Sequence, residues 1–212
     1  TIAKLSPHLD KGKNMTRYLS ALMLAAPMAI VAPYAAAATH PAQTQMQQNM
    51  DTVLKIAKSS ASEAQKVKQI ESYANRYLDY ERISALAVGA PWRNFTPKQK
   101  TEFISAFKDM IINMYSHSAL MGATDAKVKL LPKMTSNGNR HDVFSEIQTK
   151  SGTKYEVAYQ LYQVGSVYKI YNIRVDGASL VTIYRNQFNE LIQQKGIDGA
   201  IATVKAKGLK KQ

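Results

Sequence analysis

Residues Lys127–Gly177 read KVKLLPKMTSNGNRHDVFSEIQTKSGTKYEVAYQLYQVGSVYKIYNIRVDG, and their apolar side chains recur every second position. Val128 and Leu130 alternate with lysines. Val143, Ser145 and Ile147 alternate with Asp142, Phe144, Glu146 and Gln148, and Tyr155, Val157, Tyr159 and Leu161 repeat the pattern before a fourth run, Val167 to Val175. A period of two places one set of side chains on one face of a strand, so each run has one face for a core. The breaks at Asn137-Gly138, Ser151-Gly152 and Val164-Gly165 are short and carry glycine, which suits hairpins between sequential antiparallel strands. A four-stranded meander is expected, ended by Asp176-Gly177.

Outside this block the period is helical. After a polar, Gln-rich leader from Thr39 to Gln48, Met46, Met50, Val53, Leu54 and Ala57 fall at three- and four-residue spacing. Val67, Ile70, Ala74 and Tyr77 mark a second helix. Asp79 reads as the N-cap of a third over Tyr80–Val88, with Gly89 as its stop. Thr96-Pro97-Lys98-Gln99 is a helix start in which cap, first-turn proline and third-position glutamine act together. The helix it opens should reach about Met121, with Phe103, Ile104, Phe107, Met110, Ile111, Met114 and Tyr115 in a stripe wider than one packing seam needs. That stripe is either core or the wall of a cavity. Leu180, Ile183, Tyr184, Phe188, Leu191 and Ile192 form a further helix that stops at Gly196 and resumes over Ile197 to Lys207. Helices packed on a twisted antiparallel sheet make an α+β fold, and one domain is expected over residues 39–212.

Residues 15–38 look like a secretory signal peptide: Met15-Thr16-Arg17, the apolar block Leu19 to Ala32, and an A-x-A-like end at Ala35 to Ala38. Pro27 and Pro33 disfavour the competing readings, a membrane anchor or a buried helix. Residues 1–14 lack apolar periodicity and read as a spurious upstream extension. The expectation is export to the periplasm. The chain has no cysteine, hence no disulfide, no thiolate chemistry and no cysteine to carry a lipoprotein anchor. It has 28 basic and 15 acidic residues, and from residue 39 onward 24 against 14, a net +10. Such an excess suits anionic lipid, nucleic acid or an acidic protein, and nucleic acid is not expected outside the cytoplasm. Part of it lies in Lys205, Lys207, Lys210 and Lys211, a solvated tail.

Catalytic and metal-binding patterns are missing. Gly177-Ala178-Ser179-Leu180-Val181 lacks the second glycine of a nucleophile elbow, and Ser179 reads better as a helix cap. His8 and His40 are expected to lie outside the fold. His117 and His141 have no metal-ligand spacing and are expected to be surface or locally bonded. Asp79 and Glu81 do not share a helix face, and the glycines are single punctuation rather than a phosphate-cradling loop. No catalytic residue, metal site or cofactor is expected.

Several segments in register are similar to one family. Leu86-Ala87-Val88-Gly89 before Trp92-Arg93, and Phe95-Thr96-Pro97-Lys98-Gln99-Lys100 before Phe103 and Phe107, resemble the V-L-G-x-x-W-R and T-P-x-Q-x-x-x-F patterns of the MlaC, or toluene-tolerance, family. Val157-Ala158-Tyr159, Tyr168-Lys169-Ile170-Tyr171-Asn172-Ile173, Gly177 to Val181, Tyr184-Arg185-Asn186-Gln187-Phe188 and Lys195 to Gly199 follow in the family's order. The resemblance runs from Met50 to Lys207. Tyr168 stands where the family often has Trp, and Asn172 where it often has Asp.

The resemblance implies a periplasmic phospholipid carrier moving lipid between an outer-membrane lipoprotein–porin complex of the MlaA type and an inner-membrane MCE-domain ABC transporter of the MlaD type, maintaining outer-membrane lipid asymmetry. A hopanoid-type carrier of the same family is one alternative. Another is a non-enzymatic binding module with a solid core and a basic face, which a cavity between sheet and helices would separate from the carrier. On the carrier reading the acyl chains meet Phe103, Phe107, Ile111 and Met114 from the long helix. Val143, Ile147, Val157, Tyr159, Leu161, Ile173 and Val175 face them from the sheet, and Leu180, Ile183 and Phe188 close the far side. Tyr184 and Arg185 are expected at the mouth near the head group, and Arg93, Lys127, Lys129 and Arg140 on a partner-docking surface. A shuttle that exchanges cargo is expected to be a monomer.

Overall fold

A computed structural model of the protein describes residues 39–209, apart from the side chains of residues 116–119, 121–124 and 208–209. The expected extension and signal peptide, His8, Lys210, Lys211 and the His117 side chain lie outside the described residues. The elements are helices α1 (Pro41–Lys58), α2 (Glu63–Tyr77) and α3 (Tyr80–Val88), a short 3-10 helix (Ala90–Asn94), α4 (Pro97–Asp125), strands β1 (Lys127–Asn137), β2 (Arg140–Gln148), β3 (Lys154–Val164), β4 (Val167–Val175) and β5 (Ala178–Ser179), and helix α5 (Leu180–Leu209).

Local chemistry sets most boundaries. The Asp79 side chain accepts from the Arg82 amide, so α3 starts and stops where Asp79 and Gly89 require. At α4 the box closes in both directions: Thr96 Oγ1 accepts from the Gln99 amide at 3.2 Å, and Gln99 Oε1 accepts from the Thr96 amide at 2.9 Å. Helix α4 continues to Asp125, four residues past its expected end. Helix α5 breaks its helical geometry at Gly196, and Ser179 caps its start by accepting from the Thr182 amide.

The sheet is antiparallel with its strands in sequence order, and it has five strands rather than four. Asp176 and Gly177 both have positive φ, the pattern of a type I′ hairpin turn, so Asp-Gly folds the chain back into two-residue β5 instead of ending the sheet. A bulge sets the phase of β4. Gln160 pairs with Asn172 and Leu161 with Ile170, leaving Tyr171 as the extra residue. Tyr168 and Ile170 therefore share the inner face with Ile173 and Val175, which strict alternation would forbid. The displaced Tyr171 meets Tyr162, and the Arg82 guanidinium lies 4.2 and 4.7 Å from the two ring centres. Asp79 bonds the Tyr162 hydroxyl and its amide donates to the Ile170 carbonyl, which ties α3 to β4.

The N-terminal leader is the main departure from expectation. It is helical from Pro41, because His40 caps it: His40 Nδ1 accepts from the Ala42 amide at 3.1 Å. Far from lying outside the fold, the His40 ring sits 4.6 Å from the His141 ring, with Tyr168 edge-on to both. Gln45 clasps Tyr168 through both its amide atoms and Gln43 donates to the Pro132 carbonyl, so the glutamines of the leader pin α1 across β1 and β4. His141 is buried and shares a hydrogen bond with Ser136 Oγ. Burial, and then His40, lower its pKa.

A histidine whose pKa is depressed by folding binds its proton more readily when unfolded. Its neutral ring costs nothing above the unfolded value of about 6.5, and stability is lost as pH falls from there through the lower folded value. Wild-type protein should therefore lose more of its urea midpoint between about pH 7.5 and 5 than His141→Phe, which has no proton to gain. Equal losses would show that this ring does not set the acid response.

Candidate functional site: a two-chambered apolar cavity

The core is divided. One cluster lies wholly in the helical layer, where Phe95, Phe103, Phe107 and Phe188 pack edge to face beside Trp92, with Val204 and Ile201 behind them. A second joins Ala42 and Met46 of α1 to Val143, Leu161, Tyr168 and Ile170 of the sheet. A third, of Ala57, Ile70 and Leu120, closes the α1–α2 hairpin against α4. No strand residue belongs to the helical cluster, so between α4 and the sheet the apolar faces do not meet.

One chamber occupies that gap, and a second adjoins it between the α1–α2 hairpin and the sheet. The larger, about 480 Å³, lies between Phe107, Ile111, Ile112, Tyr115, Leu180 and Tyr184 of the helices and Ile147, Val157, Tyr159, Ile173 and Val175 of the sheet. The smaller, about 360 Å³, is walled by Met46, Met50, Val53 and Leu54 of α1, Tyr73 and Tyr77 of α2, and Ala126 and Val128 at the start of β1. Ile70, Ala74, Leu78, Ile147, Tyr159 and Ile170 line both and make the partition. Each volume is that of a small-molecule site. Among the described residues neither lining contains an Asp, Glu, His, Lys or Arg side chain.

The polar groups in the walls are neutral. Burial, and then the adjoining Tyr115 hydroxyl at 2.9 Å, hold the Tyr184 phenol above its usual pKa. Burial does the same for Tyr159, against a weaker opposing effect from Ser145. Asn172 is saturated: its amide nitrogen donates to Gln160 Oε1 and Ser179 Oγ, and its oxygen accepts from the Val181 amide. A carboxylate in this position has no donor for Gln160, which accounts for an amide here.

Of the residues expected on the acyl-chain wall, Phe107, Ile111, Ile147, Val157, Tyr159, Ile173, Val175 and Leu180 line the cavity. Phe103, Val143, Leu161 and Phe188 sit in the solid clusters. Met114 and Ile183 face outward at 42 % and 43 % exposure. Tyr184, expected at the mouth, is buried in the wall, while its partner Tyr115, 39 % exposed, carries the lining to the surface. Arg185, expected at the mouth, ties α5 to α3: its Nε and one terminal nitrogen both donate to the Leu86 carbonyl, at 2.9 and 2.7 Å. Its stem crosses Gly89, where a β-carbon would lie 3.0 Å from Cδ. The expected docking residues separate. Lys127 and Lys129 share the start of β1. Arg140 is at the opposite end of the β1–β2 hairpin, on the order of 30 Å away, and Arg93 is on the 3-10 helix. Sequence reasoning misses the α1 and α2 walls, although Met46, Met50, Val53 and Leu54 form one apolar stripe that could have marked them.

A family model described as MlaC protein matches residues 47–206. The chain belongs to the MlaC family. A related sequence, the toluene tolerance protein ttg2D of Pseudomonas putida, is 28% identical over 106 residues, covering 50% of this chain and 49% of that protein; the match thus spans about half the relative's length. A solved structure of a phospholipid-binding protein from Ralstonia solanacearum, in complex with a phospholipid, superposes with a TM-score of 0.69 at 23% identity, covering 79% of this chain and 96% of that one. The MlaC fold is therefore shared at a sequence distance where few side chains are.

In this MlaC chain the Leu86–Gly89 and Arg185 motifs meet each other. Arg185→Met strips the Leu86 carbonyl of both donors and should destabilise the protein by about 1–3 kcal/mol in urea unfolding. The folded fraction should keep the same bound material, by mass spectrometry of an organic extract, as wild type. Loss of that material at unchanged stability would return Arg185 to the mouth.

Proposed function

We propose that this protein is a phospholipid carrier that sheathes acyl chains in the two chambers and leaves the polar head outside. The observation that carries the reading is the uncharged, apolar gap between sheet and helices, in a chain of the MlaC family. Each methylene moved from water into such a gap gains about 0.8 kcal/mol, so even one chain is insoluble without it and well held within it. Methionine and β-branched walls accommodate chains of different length because thioether side chains repack at little cost. The phospholipid named with the Ralstonia solanacearum structure supports the same cargo class here.

Export to the periplasm, exchange with MlaA-type and MlaD-type partners and a part in outer-membrane asymmetry belong to this proposal and rest on the family and the leader sequence. The carrier binds and releases without covalent chemistry; among the described residues its walls carry no charged side chain.

Protein purified from bacterial periplasm without detergent should yield near-stoichiometric phospholipid on organic extraction and mass spectrometry. Folded protein that is empty, and stays empty after incubation with labelled vesicles, refutes the carrier. Ala74, in the partition shared by both chambers, is the site for blocking them. Ala74→Trp should cut the bound lipid several-fold while the circular dichroism spectrum is kept, because the indole grows into space rather than into packed atoms.

A further inference from the structure

Unpaired lysines gather at one end of the smaller chamber. Its lining takes Val53 and Leu54 from α1, Ala126 from the bend before β1 and Val128 from β1, so the end of α1 and the start of β1 share this end of the chamber. Lys55 directly follows Leu54, and Lys58 lies one helical turn beyond Leu54 on the same side. Lys127 and Lys129 flank Val128 on β1, and their side chains leave the outer face of the strand at this end. All four are exposed, and none has an ion-pair partner among the described residues. The nearby carboxylates are occupied or few. Asp125 holds Lys150 at 2.6 Å, and Glu146, opposite Lys129 in the sheet, bonds Lys154 at 2.9 Å. Asp51 accepts from Gln47, one turn earlier on α1.

We infer that this rim docks on the surface of an anionic bilayer, with the smaller chamber facing the leaflet. The inference rests on the carrier reading for its purpose and on the rim's own charge for its partner. Exposed ammonium groups on the outer faces of α1 and β1, at the chamber end walled by Val53, Leu54, Ala126 and Val128, match a surface that is negative outside and hydrocarbon beneath. An acidic protein face matches the charge but not the apolar opening. Lysine suits such a rim because its ammonium approaches phosphate as a point charge while its stem lies along apolar surface. Attraction of this kind acts within a Debye length and weakens with salt.

The test compares two fourfold variants of equal charge change. One carries Lys55→Gln, Lys58→Gln, Lys127→Gln and Lys129→Gln. The other, away from the rim, carries Arg93→Gln, Lys98→Gln, Arg140→Gln and Lys195→Gln, all at exposed positions. Co-sedimentation is measured with phosphatidylcholine vesicles and with phosphatidylcholine–phosphatidylglycerol vesicles at low and high salt, alongside thermal melting and extracted lipid. Wild type should prefer the phosphatidylglycerol vesicles in low salt. The rim variant should bind them at least about tenfold more weakly and the control variant within about twofold of wild type. Equal loss in both variants reduces the effect to net charge and overturns the inference. So does a rim variant that binds like wild type, or a wild type indifferent to phosphatidylglycerol, which would assign the rim to an acidic protein. Extracted lipid reports separately on the carrier: an empty protein that still needs the rim for vesicles sinks the carrier and leaves the rim standing.

Discussion

An apolar sheet face and an apolar helix layer close on each other unless something holds them apart. A gap of about 480 Å³ left empty would cost on the order of 10 kcal/mol at the cavity penalty measured for sealed cores, which rivals the whole stability of a domain. Water at the opening relieves part of that, but the scale explains the architecture. The aromatic block of Trp92, Phe95, Phe103, Phe107 and Phe188 is packed within the helical layer and gives α4 and α5 a rigid spacing of their own. At the other side, Gln45 on Tyr168 and Gln43 on the Pro132 carbonyl hold α1 to the sheet with directional bonds, which do not slide as apolar contacts do. The cavity persists because both boundaries are satisfied without it.

The same constraint explains what the family-like motifs are for. Gly89 has φ of 74°, and the Arg185 stem passes where its side chain would be. The guanidinium then takes the Leu86 carbonyl near the end of α3. Two segments about a hundred residues apart are thereby locked, and α5 is fixed to α3. Such motifs mark the scaffold, whereas a lining needs only to be apolar and leaves a weaker trace in any one sequence.

That difference decides how much is legible. Caps are local chemistry, so Asp79, Gly89, Thr96 with Gln99, and Ser179 read directly from the sequence, and alternation reveals the meander. Phe103 and Phe107 are one turn apart on one stripe, yet Phe103 is enclosed by rings and Phe107 also borders the gap. What differs is the element opposite, which no periodicity records. Met114 and Ile183 belong to the same apolar patterns yet face outward, although Leu120 and Tyr184 further along their helices are buried. The fifth strand is hidden because Asp176-Gly177 serves a hairpin as well as a stop. The leader's helix is hidden because glutamine in a sequence reads as solvent-facing, whereas here its amides are the clasp.

Helix α1 shows how separate demands fit on one element without compromise. Its first turns, Ala42 to Met46, are buried against the sheet and fixed by glutamine amides and the His40 cap. Its middle, Met46 to Leu54, turns its apolar stripe to the smaller chamber. Its last turn carries Lys55 and Lys58, where cations also favour the helix dipole. The order has a mechanical consequence. Because the strong clasp is at the first turns and the lysines are at the last, a force applied at the charged end acts on the helix far from its anchor. The α1–α2 hairpin can then be disturbed without unpinning the sheet, and the neutral walls keep any such motion from exposing a buried charge.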